Sequence, residues 1–337
     1  MTGKLFATTL VAILMALAVG CGSDDDGGGG GGGSGGEGGM APVRLALSSW
    51  PGFGALYIAD EQGYYRDAGL EVDLDLVEDQ TNRVQAMQAG EKDGAGMTAD
   101  TWVRWAAQGV QAKQVLATDE SFGGDGIVAR DDIAEPSDLR GVRVGVADGS
   151  TAEFLLGYVL REAGLTLDDV DKADMSPADA GAAFAGGSVP AAATWQPWLS
   201  RAEESPNGHV LADTKEYPVV VTTVGLSSDF IEENPESVQA LVEGTDRAIS
   251  FLRSNPKEAA AIIARATDQS PDDVTAILGD LRLYGAKENQ EFFGTEDQPG
   301  RIYELWEAAG EIWQQAGDID STPSAEDGID PSFVNAQ

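Results

Sequence analysis

The chain has 337 residues, with 57 acidic against 21 basic side chains, one histidine, one cysteine and a net charge of −36 at pH 7. So acidic a surface repels phosphate backbones, and no basic patch is visible, which excludes nucleic acid as a partner. One cysteine excludes a disulfide framework and a thiolate metal site. The lone histidine, His209 in the polar stretch SPNGHV, leaves Ser/His and Cys/His triads without a base and excludes a His-rich metal centre.

The N-terminus reads as a processed leader. Lys4 precedes an apolar run from Leu5 to Val19, and Ala18-Val19-Gly20 lead directly to Cys21. A charged start, a short apolar stretch and small residues before a cut define a secretory signal over residues 1–20. The run is too short to span a bilayer, which takes roughly 20 residues. Small residues before a cysteine resemble a bacterial lipoprotein signal, in which Cys21 carries the lipid and becomes the new N-terminus. Removing residues 1–20 takes away one lysine and no acid, so the charge goes from −36 to −37. Residues 21–40 then hold three aspartates and GGGGGGGSGGEGG, a flexible tether whose reach grows as roughly 5–6 Å × √n.

From residue 41 the chain repeats itself at an interval of about a hundred residues. VRLALS (43–48) predicts a strand, followed by a Gly/Pro-rich turn and a helical stretch that closes at Ala68-Gly69-Leu70. A short strand, a helix ending in MQAG (87–90) and a third strand running into TADTW (98–102) complete the unit. The second copy begins with VRVGV (142–146), turns at Asp148-Gly149-Ser150 and closes its first helix at Ala163-Gly164-Leu165. A short strand, a helix ending in FAGG (184–187) and a strand running into TWQPW (194–198) follow. Two β-α-β-α-β units imply two α/β lobes with parallel strands, and ligands bind beyond the carboxyl ends of such strands. If the lobes face one another, the two Gly-containing first turns and the two Thr/Trp turns converge on one cleft.

Two connections join the copies. QAKQVLATD (111–119) supplies the last strand of the first lobe, and DGIVAR (125–130) opens the second behind Gly123-Gly124. PVVVTTVGL (218–226) leads back. The expected division is residues 41–124 and 222–317 for lobe 1 and 125–221 for lobe 2, with hinges at Gly123-Gly124 and near Val221 to Gly225. Past the second crossing, Asn234-Pro235, Asn255-Pro256 and Ser270-Pro271 each open a helix, since proline suits the first turn. A further amphipathic helix spans Arg301 to Gln315, and residues 318–337 read as a polar, loosely packed tail.

Candidate site residues lie at the strand ends. Ser48, Ser49, Trp50 and Gly52 end the first strand, with Trp50 either a cleft wall or a core residue. Gly149-Ser150-Thr151 opens a helix whose free amides form an anion site. Ser150 and Glu153 equally have the S-x-x-E spacing of a capping box, which would satisfy the same donors internally. Asp100 and Thr101 open another helix, where Asp is a good N-cap. Asp119, Glu120 and Asp125 form an acidic loop at the crossing, either surface charge or part of a site. Trp195, Gln196 and Trp198 end the second lobe's third strand, and aromatic walls with a few polar groups suit a small-molecule cleft. No G-x-x-x-x-G-K-[ST] loop and no helix-opening G-x-G-x-x-G is present, so no nucleotide cofactor is expected.

SSWPGFGALYIADEQGYYRDAGLEVDL (48–74), DGIVAR, VRVGVADGSTAEFLL (142–156) and AAATWQPW (191–198) resemble the solute-binding lipoproteins of ABC importers. The branch they are most similar to binds nitrate, taurine, alkanesulfonates and thiamine precursors, and the likeness runs from about residue 41 to 315. The resemblance implies the type II periplasmic-binding-protein fold, two α/β lobes with a ligand cleft between them. It implies ligand contacts at Ser49, Trp50, Gly52, Ala99, Asp100, Thr101, Asp119, Ser121, Ser150, Thr151, Trp195 and Gln196. Many members have Glu at the position of Gln196, and its loss weighs against a strongly cationic ligand. No Lys or Arg lies in these turns, although Arg83 and Arg104 are near in sequence.

The expected protein is a lipid-anchored receptor on the extracytoplasmic face of the cell membrane. It binds a small solute, an organosulfonate such as taurine or a nitrate-class anion, and delivers it to an ABC permease with its cytoplasmic ATPase. The sulfonate would meet the amides at Ser150-Thr151, and an ammonium would meet Asp100 or Asp119. A thiamine-pyrimidine precursor and a guanidine-like compound are the alternative ligands. A biosynthetic enzyme of the same fold is the rival from another class, opposed by the isolated His209, and a sensing lipoprotein without transport is a third. No catalytic residue, metal or cofactor is expected.

Overall fold

Strands β1 (Val43–Leu47), β2 (Val72–Leu76), β3 (Gly94–Thr98) and β4 (Ala112–Ser121) precede the first crossing. Strands β5 (Asp125–Arg130), β6 (Arg143–Val146), β7 (Asp171–Asp174), β8 (Ala191–Trp195) and β9 (Gly208–Asp213) follow it, and β10 (Val221–Ser227) and β11 (Leu281–Leu283) come after the return. A computed structural model describes residues 39–336 apart from Asn207 and Glu296. The leader, Cys21 and the glycine tether lie outside the described residues.

The eleven strands form two sheets, one ordered β11-β4-β10-β3-β1-β2 and the other β7-β6-β8-β5-β9. β1 pairs in parallel with β2 and β3, and β6 pairs in parallel with β7 and β8. The repeat in the sequence is thus a repeat in topology. Each sheet then receives an antiparallel strand directly from a crossing, β10 beside β3 and β5 beside β8. The mixed α/β architecture with two sheets is the one the spacing of strands and helices predicts.

The echoed Ala-Gly-Leu triplets have a common physical cause. Gly69 (φ +82°) and Gly164 (φ +73°) are left-handed, which costs glycine nothing and any other residue strain. Leu70 N then donates to Tyr65 O at 3.0 Å and Leu165 N to Leu160 O at 2.8 Å, a Schellman closure in each copy. Both leucines bury their side chains in the core.

Two expectations are corrected. Val221 to Gly225 is no hinge, because every one of these residues lies within β10, laddered to β3 from Thr222 onward and to β4 throughout. The second connection is the segment before it, residues 214–220, tied to the first by Thr214. Its Oγ1 pairs with Ser121 Oγ at 2.8 Å and accepts from Gly123 N at 2.8 Å. The tail is not loosely packed either. Ile319, Ile329, Phe333 and Val334 are buried, Gln114 N donates to Gly328 O, and Ile329 bridges to Gln114 beside β4. Four apolar anchors spaced through a polar segment vanish in its average composition, yet each finds a place in the core.

Deleting part of one anchor tests this packing. Ile329→Ala should lower the unfolding free energy by about 2–5 kcal/mol, the usual cost of a truncated core aliphatic. Urea denaturation reads it, and an unchanged midpoint would show that the segment does not hold to the body.

Candidate ligand cleft

The first turn after β1 is organised by a buried carboxylate. Asp119, 0% exposed on β4, accepts from Thr118 Oγ1 at 2.9 Å, Thr222 Oγ1 at 3.2 Å and Trp50 Nε1 at 3.3 Å. Burial pushes its pKa up to about 6 against the lowering effect of these donors. The contact requires a glycine at 52: a Cβ there would stand 2.1 Å from Asp119 Oδ2 and 2.4 Å from Trp50 Nε1. Gly52 and Asp119 therefore fix the Trp50 indole from behind.

At the end of β3, Thr98 Oγ1 hydrogen-bonds Thr151 Oγ1 at 2.8 Å, joining the two sheets' loops across one edge of the cleft. Ala99, Asp100 and Thr101 form the first turn of the helix Ala99–Ala107, and all three are buried behind that edge. The Asp100 carboxylate, 2% exposed, makes no well-formed hydrogen bond among the described residues. Burial outweighs the lowering influences of Thr98 and Arg104 and, with the nearby charge of Asp125, pushes it up to about 7.

The helix Thr151–Glu162 opens with both readings of its sequence partly realised. Ser150 Oγ accepts from Glu153 N at 3.4 Å, and Glu153 Oε2 accepts from Gly149 N at 2.6 Å while Lys172 pairs with the same carboxylate. That arrangement is capping. It leaves the amides of Thr151 and Ala152 without an acceptor among the described residues, so an anion retains two donors and the helix dipole.

These turns enclose a cleft of about 550 Å³. Of the twelve expected contacts, Ser49, Trp50, Ser150, Thr151, Trp195 and Gln196 lie on its lining. Gly52, Ala99, Asp100, Thr101, Asp119 and Ser121 do not: the first five support the wall from behind, and Ser121 belongs to the crossing. Gln196 turns its Oε1 to Ser200 N at 3.2 Å, so its side chain caps the helix Trp198–Glu203.

Further lining residues come from places that strand-end reasoning does not reach. Arg83, only 4% exposed, donates Nη1 to Val77 O at 2.7 Å and Glu78 O at 3.0 Å, while its Nε lacks a partner among the described residues. Burial lowers its pKa to about 10, which still leaves it charged at neutral pH. Arg104 donates Nη1 to Gly149 O at 2.9 Å across the lobes, and its Nε lies 3.1 Å from Asp318 Oδ2 in the C-terminal segment. Trp105, Trp198, Glu78, Asp79, Thr222, Gln269 and Asp125 also line the space. Asp119, Glu120 and Asp125 do not form a loop, since the first two end β4 and the third opens β5; of the three only Asp125 is on the lining, and burial, reinforced by the Asp119 charge, pushes it up to about 7. Arg104 and Trp105 sit further along the helix Ala99–Ala107, and no strand-end signal marks them, because Thr101 at the start of that helix is itself off the lining.

Two similarly ordered α/β sheets, crossed twice by the chain and sharing one cleft at their strand ends, make this a protein of the periplasmic-binding-protein fold. The periplasmic aliphatic sulphonate binding protein of Escherichia coli superposes with a TM-score of 0.71 at 18% identity, over 87% of this chain and 99% of that one. The chain belongs to the NMT1/THI5-like family, whose model matches residues 50–259. A Brucella abortus (strain 2308) protein named as a binding protein is 28% identical over 233 residues, 66% of this chain and 71% of its own. A Bacillus subtilis (strain 168) protein named for aliphatic-sulfonate binding is 25% identical over 278 residues, 80% of each chain. The fold also serves an enzyme, the desulfurization enzyme DSZB, at a TM-score of 0.58 and 18% identity, over 87% of this chain and 98% of that one.

The raised carboxyl groups give a pH signature. Asp100 and Asp125 bind a proton in the folded protein up to about pH 7, but near 3.8 in the unfolded chain. The folded state therefore holds more protons between these limits, and stability falls as pH rises through that window. Asp100→Asn removes one such group without changing its shape. Its melting temperature should exceed that of the wild type by about 2 °C at pH 8, for about 1 kcal/mol in a body of this size, and converge with it near pH 4. A calorimetric series that finds the variant less stable at pH 8 would refute the assignment.

Proposed function

We propose that this chain is the extracytoplasmic solute-binding component of an ABC importer, that its ligand is a small organosulfonate, and that it delivers this ligand to a membrane permease. The observation that carries the reading is the composition of the cleft. Arg83, Arg104 and the free amide of Thr151 supply cationic and N–H partners for a sulfonate, and indole walls supply apolar cover. For a taurine-like zwitterion the ammonium partner is Asp125, because Asp100 and Asp119 stand behind the lining. Relatives named for binding rather than for a reaction support a receptor over an enzyme. So does the position of His209, on β9, facing Asp131 at 3.9 Å and away from the cleft lining.

Closure is the mechanism that fits this arrangement. Glycine-rich residues 122–124 and the segment 214–220 are the two backbone connections, and rotation there would bring Trp195 and Ser150 toward Trp50 around a ligand. Among the described residues no helix is long and apolar enough to cross a membrane. Attachment is assigned to a lipid on Cys21, with the glycine tether between the membrane and the body.

Two measurements test the reading. Thermal shift against ethanesulfonate, taurine, nitrate and guanidine should show stabilisation by sulfonates. A ligand at a hundred times its dissociation constant contributes about 2.7 kcal/mol. A response to nitrate alone or guanidine alone would overturn the ligand class. Cys21→Ser should release the protein into the medium, and mass spectrometry of the mature wild type should find a diacylglyceryl thioether on that residue; an unlipidated N-terminus elsewhere would end the anchoring assignment.

A further inference from the structure

The chain has seven tryptophans, and four of them, Trp50, Trp105, Trp195 and Trp198, line the one cleft. The other three, Trp102, Trp306 and Trp313, are at most 2% exposed and serve the core. The four cleft indoles come two from each lobe: Trp50 after β1 and Trp105 on the helix after β3, Trp195 at the end of β8 and Trp198 opening the next helix. None of the four is in ring contact with another aromatic side chain among the described residues. Aromatic rings normally find ring partners or apolar cover; Trp105 belongs to the buried core and Trp50 and Trp195 pack against it, and all four also present surface to the cleft.

Their placement is built rather than incidental. Trp50 is held by Asp119 through the gap that Gly52 leaves. Trp198 has the Arg201 guanidinium 4.6 Å from its ring centre. Trp105 is 8% exposed, and its Nε1 is buried without an acceptor among the described residues. The lobes already touch through Thr98–Thr151 and Arg104–Gly149, so the cleft volume of about 550 Å³ belongs to an edge-latched state. A space of that size lies within the roughly 300–1,000 Å³ that encloses drug-sized ligands, well beyond a two-carbon sulfonate.

We infer that the ligand is an aryl sulfonate: a planar aromatic ring seated among the four indoles, with its sulfonate toward Arg104 and the amide of Thr151. This rests on the organosulfonate reading and narrows it. Ring stacking discriminates by the flat face of the ligand, whereas a bare alkyl sulfonate would leave most of the indole surface wet.

Calorimetric titration of the full chain decides between them, with ethanesulfonate, taurine, cyclohexanesulfonate, benzenesulfonate and naphthalene-2-sulfonate, and with benzamide and benzamidine as ring-bearing compounds without a sulfonate. Naphthalene-2-sulfonate should bind at least tenfold more tightly than ethanesulfonate, and benzenesulfonate more tightly than cyclohexanesulfonate of similar bulk. Trp195→Ala should cost the aryl sulfonates tenfold or more and ethanesulfonate less than threefold, with Trp195→Phe restoring most of the loss. Trp198→Ala provides the same contrast if Trp195→Ala does not fold. Equal or tighter binding of taurine or ethanesulfonate overturns the aryl assignment and leaves the organosulfonate reading standing. Binding of benzamide or benzamidine without any sulfonate keeps the ring and overturns the sulfonate. If nothing in the panel binds, both fall.

Discussion

A carboxylate with no exposure to water holds the cleft in shape. Burying the Asp119 charge is unfavourable unless donors surround it, and three converge from three segments of the chain: Thr118 beside it, Thr222 on β10 and Trp50 after β1. The need to satisfy that group explains the glycine at 52, the fixed indole of Trp50 and the close pairing of β10 with β4 at Thr222. Asp125 is likewise buried, and burial together with the Asp119 charge raises its pKa in turn. A residue that looks like ligand chemistry in the sequence is here an internal brace for the wall residue Trp50.

The architecture was legible because it is periodic. Alternating strands and helices repeat, the Ala-Gly-Leu closures recur, and Asn-Pro and Ser-Pro pairs announce the later helices at Pro235, Pro256 and Pro271. Strand-end turns are fixed by the same logic, and this is why Ser49, Trp50, Ser150, Thr151, Trp195 and Gln196 could be placed on the lining in advance. What escaped depends on the third dimension. Whether Asp100 faces outward or inward is set by which side of its helix the sheet covers, and Arg83 reaches the cleft only because the loop after β2 folds under it. The expected hinge within β10 failed for a related reason: a β-branched run reads as a connection until one knows that it is laddered on both sides.

At Ser150 the sequence offered capping and anion binding as alternatives, and the structure divides the donors between them. Glu153 and Ser150 satisfy Gly149 N and Glu153 N, so the helix is stable before any ligand arrives. The amides left over are those that a helix dipole makes most attractive to negative charge. Arg104 reinforces the same corner from the other lobe while Asp318 braces it, so a segment near the C-terminus bears on the cleft.

The position of β10 also orders events during synthesis. It lies in the interior of its sheet, between β3 and β4, and Thr223 Oγ1 bonds to Met97 O and Gln114, partners 126 and 109 residues earlier. Every strand of the other sheet precedes it in the chain. A polypeptide emerging N-terminus first therefore finishes the sheet made second before the sheet begun first. Until residue 227 arrives, β3 and β4 each present an open edge, the kind of surface that invites pairing with another chain. Closure between segments so far apart in the chain is intrinsically slow, so this sheet is the one whose completion topology delays.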